Sequence, residues 1–395
     1  MPGIEFNPYS YELHEDPYPT YRALRDHAPV YRNEALGFWA LSRHADVVAA
    51  FKDTSTFSNA EGVALERSSQ AQASATASFL AMDPPRHDHM RALVSRGFTP
   101  RRVADLEERV RVLTAGYVDA FVRAGRCDLI QDLAAKLPMA VVSELLGIPE
   151  VDRDRLRGLA DTVVHREDGK ATIPPAAIQA SQQMMLYFRD LVAEREQASG
   201  SDMVSALLES ELDGVRLSVP EVLAFLFLMV IAGNETTTKL IGNAIYWLWR
   251  NPSERDRVRR DPQLINNWVE ETLRYDGSTQ MLARSVAREV EWGGERLRVG
   301  DRLLLLVGAA NRDERVFPDP DRFDIRRDTG QHVAFGKGAH FCLGASLARL
   351  ETRAALEAIQ TRLPDFEIDV AGLVRVHSPN VRGFASMPVR FTPTP

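Results

Sequence analysis

The chain has 395 residues, 45% of them hydrophobic and 26% charged, an ordinary globular composition with ample apolar material for a large core. Its formal net charge of −7 gives no overall basic footprint for nucleic acid. Its two cysteines, Cys127 and Cys342, are too few for a disulfide framework, so each is read alone.

In chain order, the acidic, polar N-terminal stretch lacks a basic segment followed by an apolar run, and no secretory signal is expected there. "YPTYRALRDHA" opens a short helix, and "VYRNE" and "GFWALS" predict a hairpin around Asn33 to Leu36. "RHADVVAAFKD" predicts a helix, and residues 53–84 read as a long loop of the kind that forms lids or binding segments. Helical periodicity then runs nearly unbroken over 86–210.

Ser218-Val219-Pro220-Glu221 is a capping box that opens a helix continuing to Arg250. At 1.5 Å per residue it is roughly 48 Å long. More helix is expected from Pro252 to Tyr275, strand-like alternation over 285–308, and an amphipathic helix after Cys342. No window reaches 18 consecutive apolar residues, so no membrane span is expected. These patterns predict one domain over residues 1–395, mainly α with a small β portion, soluble and cytoplasmic.

Two stretches stand out chemically. In "FGKGAHFCLG", Gly336 and Gly338 permit tight turns, and Cys342 sits at the mouth of the following helix. There free N–H groups and the positive dipole end favour a thiolate. Gly344 leaves room for a flat group against the backbone, and Phe335 supplies an apolar wall. A thiolate in such a cradle suits a haem iron. Cys127, in "GRCDLI", reads as a packing residue.

The second stretch, "VIAGNETTTKL", puts weak helix formers at the middle of the long helix. Gly233 clears space, and Thr236 can bond back to the carbonyl of Ala232. Leu228, Ile231, Ala232 and Thr236 share one face. That face is apolar apart from Thr236. Thr237 and Thr238 fit helix packing or solvent contact.

The spacing of Phe335, Gly338, His340, Cys342 and Gly344 resembles the haem-binding loop of the cytochrome P-450 monooxygenases. The long-helix sequence Ala232-Gly233-Asn234-Glu235-Thr236 is similar to their oxygen-binding motif. "ETLR", Glu271 to Arg274, would by itself read as a solvated ion pair, but it matches the family's Glu-x-x-Arg. Arg322 in "FPDPDRF" would complete a Glu271–Arg274–Arg322 network that holds the cysteine loop.

The resemblance spans nearly the whole chain and implies the cytochrome P-450 fold, with haem b between the long helix and the cysteine helix. It makes Cys342 the iron ligand. His87, Arg91, Arg284 and His340 become partners of the haem propionates, with Ala232, Gly233, Phe335, Gly336 and Gly344 around the ring. Arg86 and His89 depart from the commoner residues beside the first two of these. Glu235 and Thr236 would deliver protons to dioxygen, the co-substrate.

The pocket would include Leu228, Ile231, Ala232, Gln280, Leu282 and Phe384, with the loop 61–80 as a further wall. Glu66 and Arg67 could supply a charge pair for a polar substrate. The implied activity is oxidation of a small, largely apolar organic molecule, of the kind met in secondary metabolism. No flavin- or nicotinamide-binding glycine fingerprint appears, so a ferredoxin and its reductase are the expected electron donors. They would dock near Lys337, Arg101, Arg102 and Arg349. The chain is expected to be a monomer without nucleic-acid or membrane partners. Rival readings are a haem-thiolate enzyme of the same fold doing oxidative coupling or peroxide chemistry, and a non-catalytic haem sensor.

Overall fold

The computed structural model describes residues 4–66, 75–76, 78–95, 98–212 and 214–393; Arg67 lies outside them. Eleven described helices have nine or more residues. They are α1 (Tyr18–His27), α2 (His44–Lys52), α3 (Arg86–Ser95), α4 (Glu107–Phe121), α5 (Lys136–Leu146), α6 (Glu150–Val164), α7 (Pro175–Gln197), α8 (Val219–Arg250), α9 (Pro252–Arg260), α10 (Ile265–Asp276) and α11 (Ala345–Arg362).

A five-stranded sheet is built from β1 (Val30–Asn33), β2 (Phe38–Leu41), β3 (Phe57–Ser58), β4 (Leu282–Val286) and β5 (Arg302–Leu305), in the order β1-β2-β5-β4-β3. β5 runs parallel to β2 and antiparallel to β4. A separate hairpin joins β6 (Val374–Arg375) to β7 (Phe384–Ser386). The expected hairpin around Asn33 forms, with Asn33 opposite Phe38.

α8 starts as the capping box dictates: the Ser218 N–H donates to Glu221 Oε2 at 2.9 Å, and Pro220 occupies the first turn. By length and composition it could cross a membrane. Here it is the core helix, packed against α5, α11, α7, α10 and α6. At Gly242 a Cβ would fall 2.6 Å from Ile130 Cδ1, so a larger residue there would make the Ile130 side chain shift. The helical pattern after Pro252 breaks at Asp261–Pro262, where Asp261 accepts a hydrogen bond from the Gln263 N–H. A residue before proline is driven from helical geometry, which explains the division into α9 and α10.

The largest apolar cluster fills the helical part, from Met90 and Val110 to Phe225, Trp268 and Ile359. Two smaller clusters flank the sheet, one under the N-terminal segment around Phe6 and Tyr21, the other around Trp39 and Leu303. Strand β4 carries Arg284 into the space between these layers, and α11 carries the cysteine loop at its N-terminal end.

Candidate functional site

The cysteine loop turns through Gly336 and Gly338, at φ +68° and +73°. A side chain at 338 would also meet the Phe51 carbonyl at 3.0 Å. The Cys342 N–H donates to the Phe335 carbonyl at 2.9 Å, closing the loop just before α11. The Cys342 side chain has open surface although protein surrounds and desolvates it, which marks an internal void. Burial pushes the thiol up, while the Gly344 N–H, Arg91 and Arg349 oppose that rise. The helix N-terminus therefore supplies its donor as expected, but the thiol is not depressed, because desolvation outweighs it. A bound metal cation reverses that balance. A Cβ at Gly344 would meet nothing within 4 Å.

On α8 the residues alternate between packed and open. Val230, Asn234 and Glu235 are buried, Leu228, Ile231 and Thr236 half-buried, and Ala232 exposed, although it lies mid-helix in the core element. The open face is the one that helical spacing assigns to Leu228, Ile231, Ala232 and Thr236. Thr236 Oγ1 donates to the Ala232 carbonyl at 2.7 Å. A Cβ at Gly233 would touch only Val142, at 3.8 Å.

Glu235 differs from this open face in being buried. Its Oε1 accepts from Asn234 Nδ2 at 3.2 Å, and Lys239 Nζ stands 3.0 Å from its Oε2. Burial pushes the Glu235 carboxyl up to about 7; Lys239 works against the rise, and the Asp161 carboxylate adds to it.

Four basic side chains from distant parts of the chain converge near the cysteine loop. The rings of His87 (α3) and His340 lie 4.1 Å apart. His87 Nδ1 is tied to Asp88 at 2.8 Å, but among the described residues His87 Nε2 and both His340 nitrogens lack a well-formed hydrogen bond. Burial pushes His340 down to about 3, helped by His87, Arg284 and Arg91. Arg284 is 2% exposed and makes no ion pair with a carboxylate among the described residues; its Nη1 donates to the Ala283 carbonyl at 2.8 Å. Desolvation pulls its pKa down to about 10. Arg91 donates to the Phe341 carbonyl at 2.5 Å and lies over the Phe79 ring.

A buried arginine and orphaned imidazoles call for an anionic group. Among the described residues no three His, Cys, Asp or Glu side chains surround a metal position, so an iron held by Cys342 takes its other ligands from elsewhere. The residues present fit a haem, whose carboxylates would find their partners among His87, Arg91, Arg284 and His340.

The supporting network differs in one member from the sequence expectation. Glu271 and Arg274 form a bidentate pair, both contacts 2.7 Å and both side chains fully buried. Arg274 also donates to the carbonyls of Asn311, Pro320 and Arg322. The second cation beside Glu271 is Arg327, at 3.5 Å and 10% exposed, whereas the Arg322 side chain is 60% exposed and contributes only its carbonyl.

Two pocket expectations also give way. Gln280 is buried, donates to the Gly277 carbonyl, and fills the space beside Gly308 and Tyr21. The chain before β4 is not yet a strand, so the alternation that puts Leu282 and Arg284 on one face does not extend back to it. Phe384 is 1% exposed, stacked between Tyr246 at 5.0 Å and the Arg375 guanidinium at 4.2 Å. Leu282 is half-buried at the start of β4.

Sequence reasoning missed Glu270. It binds Arg349 at 2.5 and 3.0 Å and His332 at 3.0 Å. Burial alone would raise this carboxyl, but His332 and Arg349 hold it down at about 2. Arg349 in turn covers the Phe335 ring at 4.6 Å, which clamps the wall of the cysteine loop to α10. Nothing local marks Glu270, whose partner is 79 residues away. Glu66 is likewise committed, to Arg166 at 2.6 Å.

The Cytochrome P450 family model matches residues 176–392. Over 390 residues the chain is 53% identical to a putative cytochrome P450 123 of Mycobacterium tuberculosis, covering 98% of this chain and 97% of that one. It is 38% identical to the cytochrome P450 monooxygenase PikC of Streptomyces venezuelae, covering 99% and 94%. The crystal structure of CYP109E1 from Bacillus megaterium in complex with testosterone superposes with a TM-score of 0.91 at 30% identity, covering 96% and 99%. The chain therefore belongs to the cytochrome P450 family of monooxygenases, oxidoreductases that use haem b and dioxygen.

Proposed function

We propose that this enzyme hydroxylates or epoxidises a small, largely apolar organic substrate in the cytoplasm, as a monomer supplied with electrons by a ferredoxin and its reductase. The observation that carries the reading is the open face of α8: three apolar residues and one hydroxyl left uncovered in the centre of the protein. Of a relative, a steroid complex is on record, with testosterone bound to CYP109E1, and an apolar substrate of that general size suits the same kind of face.

When bound, haem supplies the dioxygen and electron-transfer chemistry. The chain does the rest. Cys342 would hold the iron, and His87, Arg91, Arg284 and His340 would hold the two carboxylates. Gly233 and Gly344 would leave room for the group by lacking side chains. Thr236 presents a hydroxyl whose proton engages the Ala232 carbonyl and can be turned toward the open face. Glu235, one residue earlier and facing inward, stores a proton near neutral pH, where a general acid is most effective. Leu228, Ile231 and Leu282 shape the substrate side. The exposed Arg101 and Arg102 offer a cationic docking edge; Arg349 is less available, since Glu270 already holds it.

The test is the reduced, carbon-monoxide-treated spectrum. The red-shifted haem-thiolate band is expected in the wild-type protein and absent in Cys342→Ser. A wild-type protein without the band overturns the assignment. A compound screen read by displacement of iron-bound water then identifies the substrate class, and preferential response to charged compounds would count against an apolar one.

A further inference from the structure

Two cations act on the Cys342 thiol, Arg91 and Arg349. Arg91 would find its counter-charge in the haem carboxylates. Arg349 already has one in Glu270, and the placing of that pair bears on the sulfur.

Arg349 lies in the second turn of α11. Long side chains of a helix lean toward its N-terminus, and that direction carries the guanidinium back to the cysteine loop. Nη1 stands 3.5 Å from the Ala345 carbonyl, in the first turn, and the group covers the Phe335 ring at 4.6 Å. Phe335 is also the residue whose carbonyl receives the Cys342 N–H. The charge therefore rests on the loop that carries the sulfur.

Glu270 meets this cation in a fixed geometry. Its two oxygens accept from Arg349 Nε at 2.5 Å and Nη2 at 3.0 Å, a bidentate pair. On the other side of the loop, His332 Nδ1 accepts from the Ala334 N–H at 3.2 Å, which leaves the ring proton on Nε2, 3.0 Å from Glu270 Oε2. His332 so binds the carboxylate as an uncharged donor, and the charge that Glu270 answers is that of Arg349. The two side chains are 27% and 36% exposed. Water therefore screens the pair in part, and its field at the sulfur is moderate.

We propose that Glu270 is a positioning residue for the thiolate: by holding and neutralising Arg349 it keeps a full positive charge off Cys342, and so sets how much electron density the sulfur gives to a bound iron. The proposal rests on the reading of Cys342 as iron ligand. Without the carboxylate, Arg349 stands uncompensated beside the sulfur. A lone cation there draws density from the thiolate and favours the reduced, more negative state of the site. Loss of Arg349 leaves Glu270 as a lone anion and acts in the opposite sense. A purely mechanical clamp behaves otherwise. Both losses break the same link, so a loosened loop would move the potential in one direction only.

The experiment is a spectroelectrochemical titration of the substrate-free holoenzyme, with the C–O stretch of its reduced carbon monoxide complex read beside it. Glu270→Gln, which keeps the shape and an acceptor for Arg349, is expected to shift the one-electron equilibrium about tenfold toward the reduced form, about 59 mV upward, and to raise the C–O stretch. Arg349→Met is expected to shift both the opposite way. Glu270→Asp, which keeps the charge, should restore the wild-type potential. The double variant Glu270→Gln with Arg349→Met is as neutral as the wild-type pair and should also return toward it. It decides the matter if one single variant fails to fold, because a broken clamp would leave it displaced. An unmoved potential in Glu270→Gln, or shifts of the same sign in the two single variants, overturns the proposal. A wild-type protein without the red-shifted carbon monoxide band fails the reading of Cys342 itself.

Discussion

The imidazole rings of His87 and His340 lie 4.1 Å apart, centroid to centroid, and three of their four nitrogens have no well-formed hydrogen bond among the described residues. They come from segments some 250 residues apart and meet beside Arg284, a buried guanidinium with no carboxylate partner among the described residues. Such a grouping is costly for the protein alone and becomes favourable once carboxylates enter it.

This sets two opposite expectations for Arg284→Met. The haem-free protein should melt at a higher temperature, because an uncompensated buried charge is gone. The holoenzyme should lose haem about tenfold faster, the effect of one charge-assisted hydrogen bond. Differential scanning fluorimetry and haem transfer to an acceptor globin measure the two. Parallel changes in both would contradict the role.

Thr236 donates its hydroxyl to the Ala232 carbonyl while facing the open side of α8. Thr236→Ala should bind haem and substrate normally, but product formed per electron consumed should fall about tenfold or more, since one proton donor is lost. Thr236→Ser should recover most of it. Unchanged stoichiometry in the alanine variant would remove Thr236 from the proton path.

The Glu271–Arg274 pair is sealed from water on both sides, so Glu271→Gln leaves a buried Arg274 without its carboxylate, and Arg274→Met leaves a buried Glu271 with only the longer contact to Arg327. Each should cost about 3–5 kcal/mol in urea unfolding. Arg327→Met should cost less, and Arg322→Ala under about 0.5 kcal/mol, as befits an exposed side chain. A large loss at Arg322 would restore it to the network.

Two carboxyls, the buried Glu351 and the half-buried Glu270, give stability opposite pH slopes. Desolvation raises Glu351 to about 8, above its unfolded value. The stability tied to its neutral form is complete below about 4.5 and is lost as pH rises through about 8. Glu270 is held near 2, so its contribution is complete above about 4.5 and is lost as pH falls toward 2. Glu351→Gln should flatten the alkaline limb of a stability-against-pH curve, and Glu270→Gln the acid limb, both read by urea midpoints. Unaltered limbs would refute the respective assignment.

What was legible in the sequence was local. The capping box of Ser218 and Glu221, the glycine turns before Cys342, the pairing of Glu271 with Arg274 and the face shared by Ala232 and Thr236 follow from spacing within one or two helical turns. Backbone geometry sets those distances wherever the element lies. The chain also carried enough of its motifs in order to display the family.

Tertiary structure decided which way long side chains turn and which distant partner they find. Arg327 took the place expected of Arg322, because the 317–323 segment turns the latter outward. Gln280 and Phe384 turned into packed layers, Gln280 toward the Gly277 carbonyl and Phe384 between Tyr246 and Arg375. Glu270 found Arg349, and Lys239 found Asp161 on another helix. Such choices depend on which charges and cavities the assembled core brings within a few ångströms, and no spacing along the chain encodes that distance.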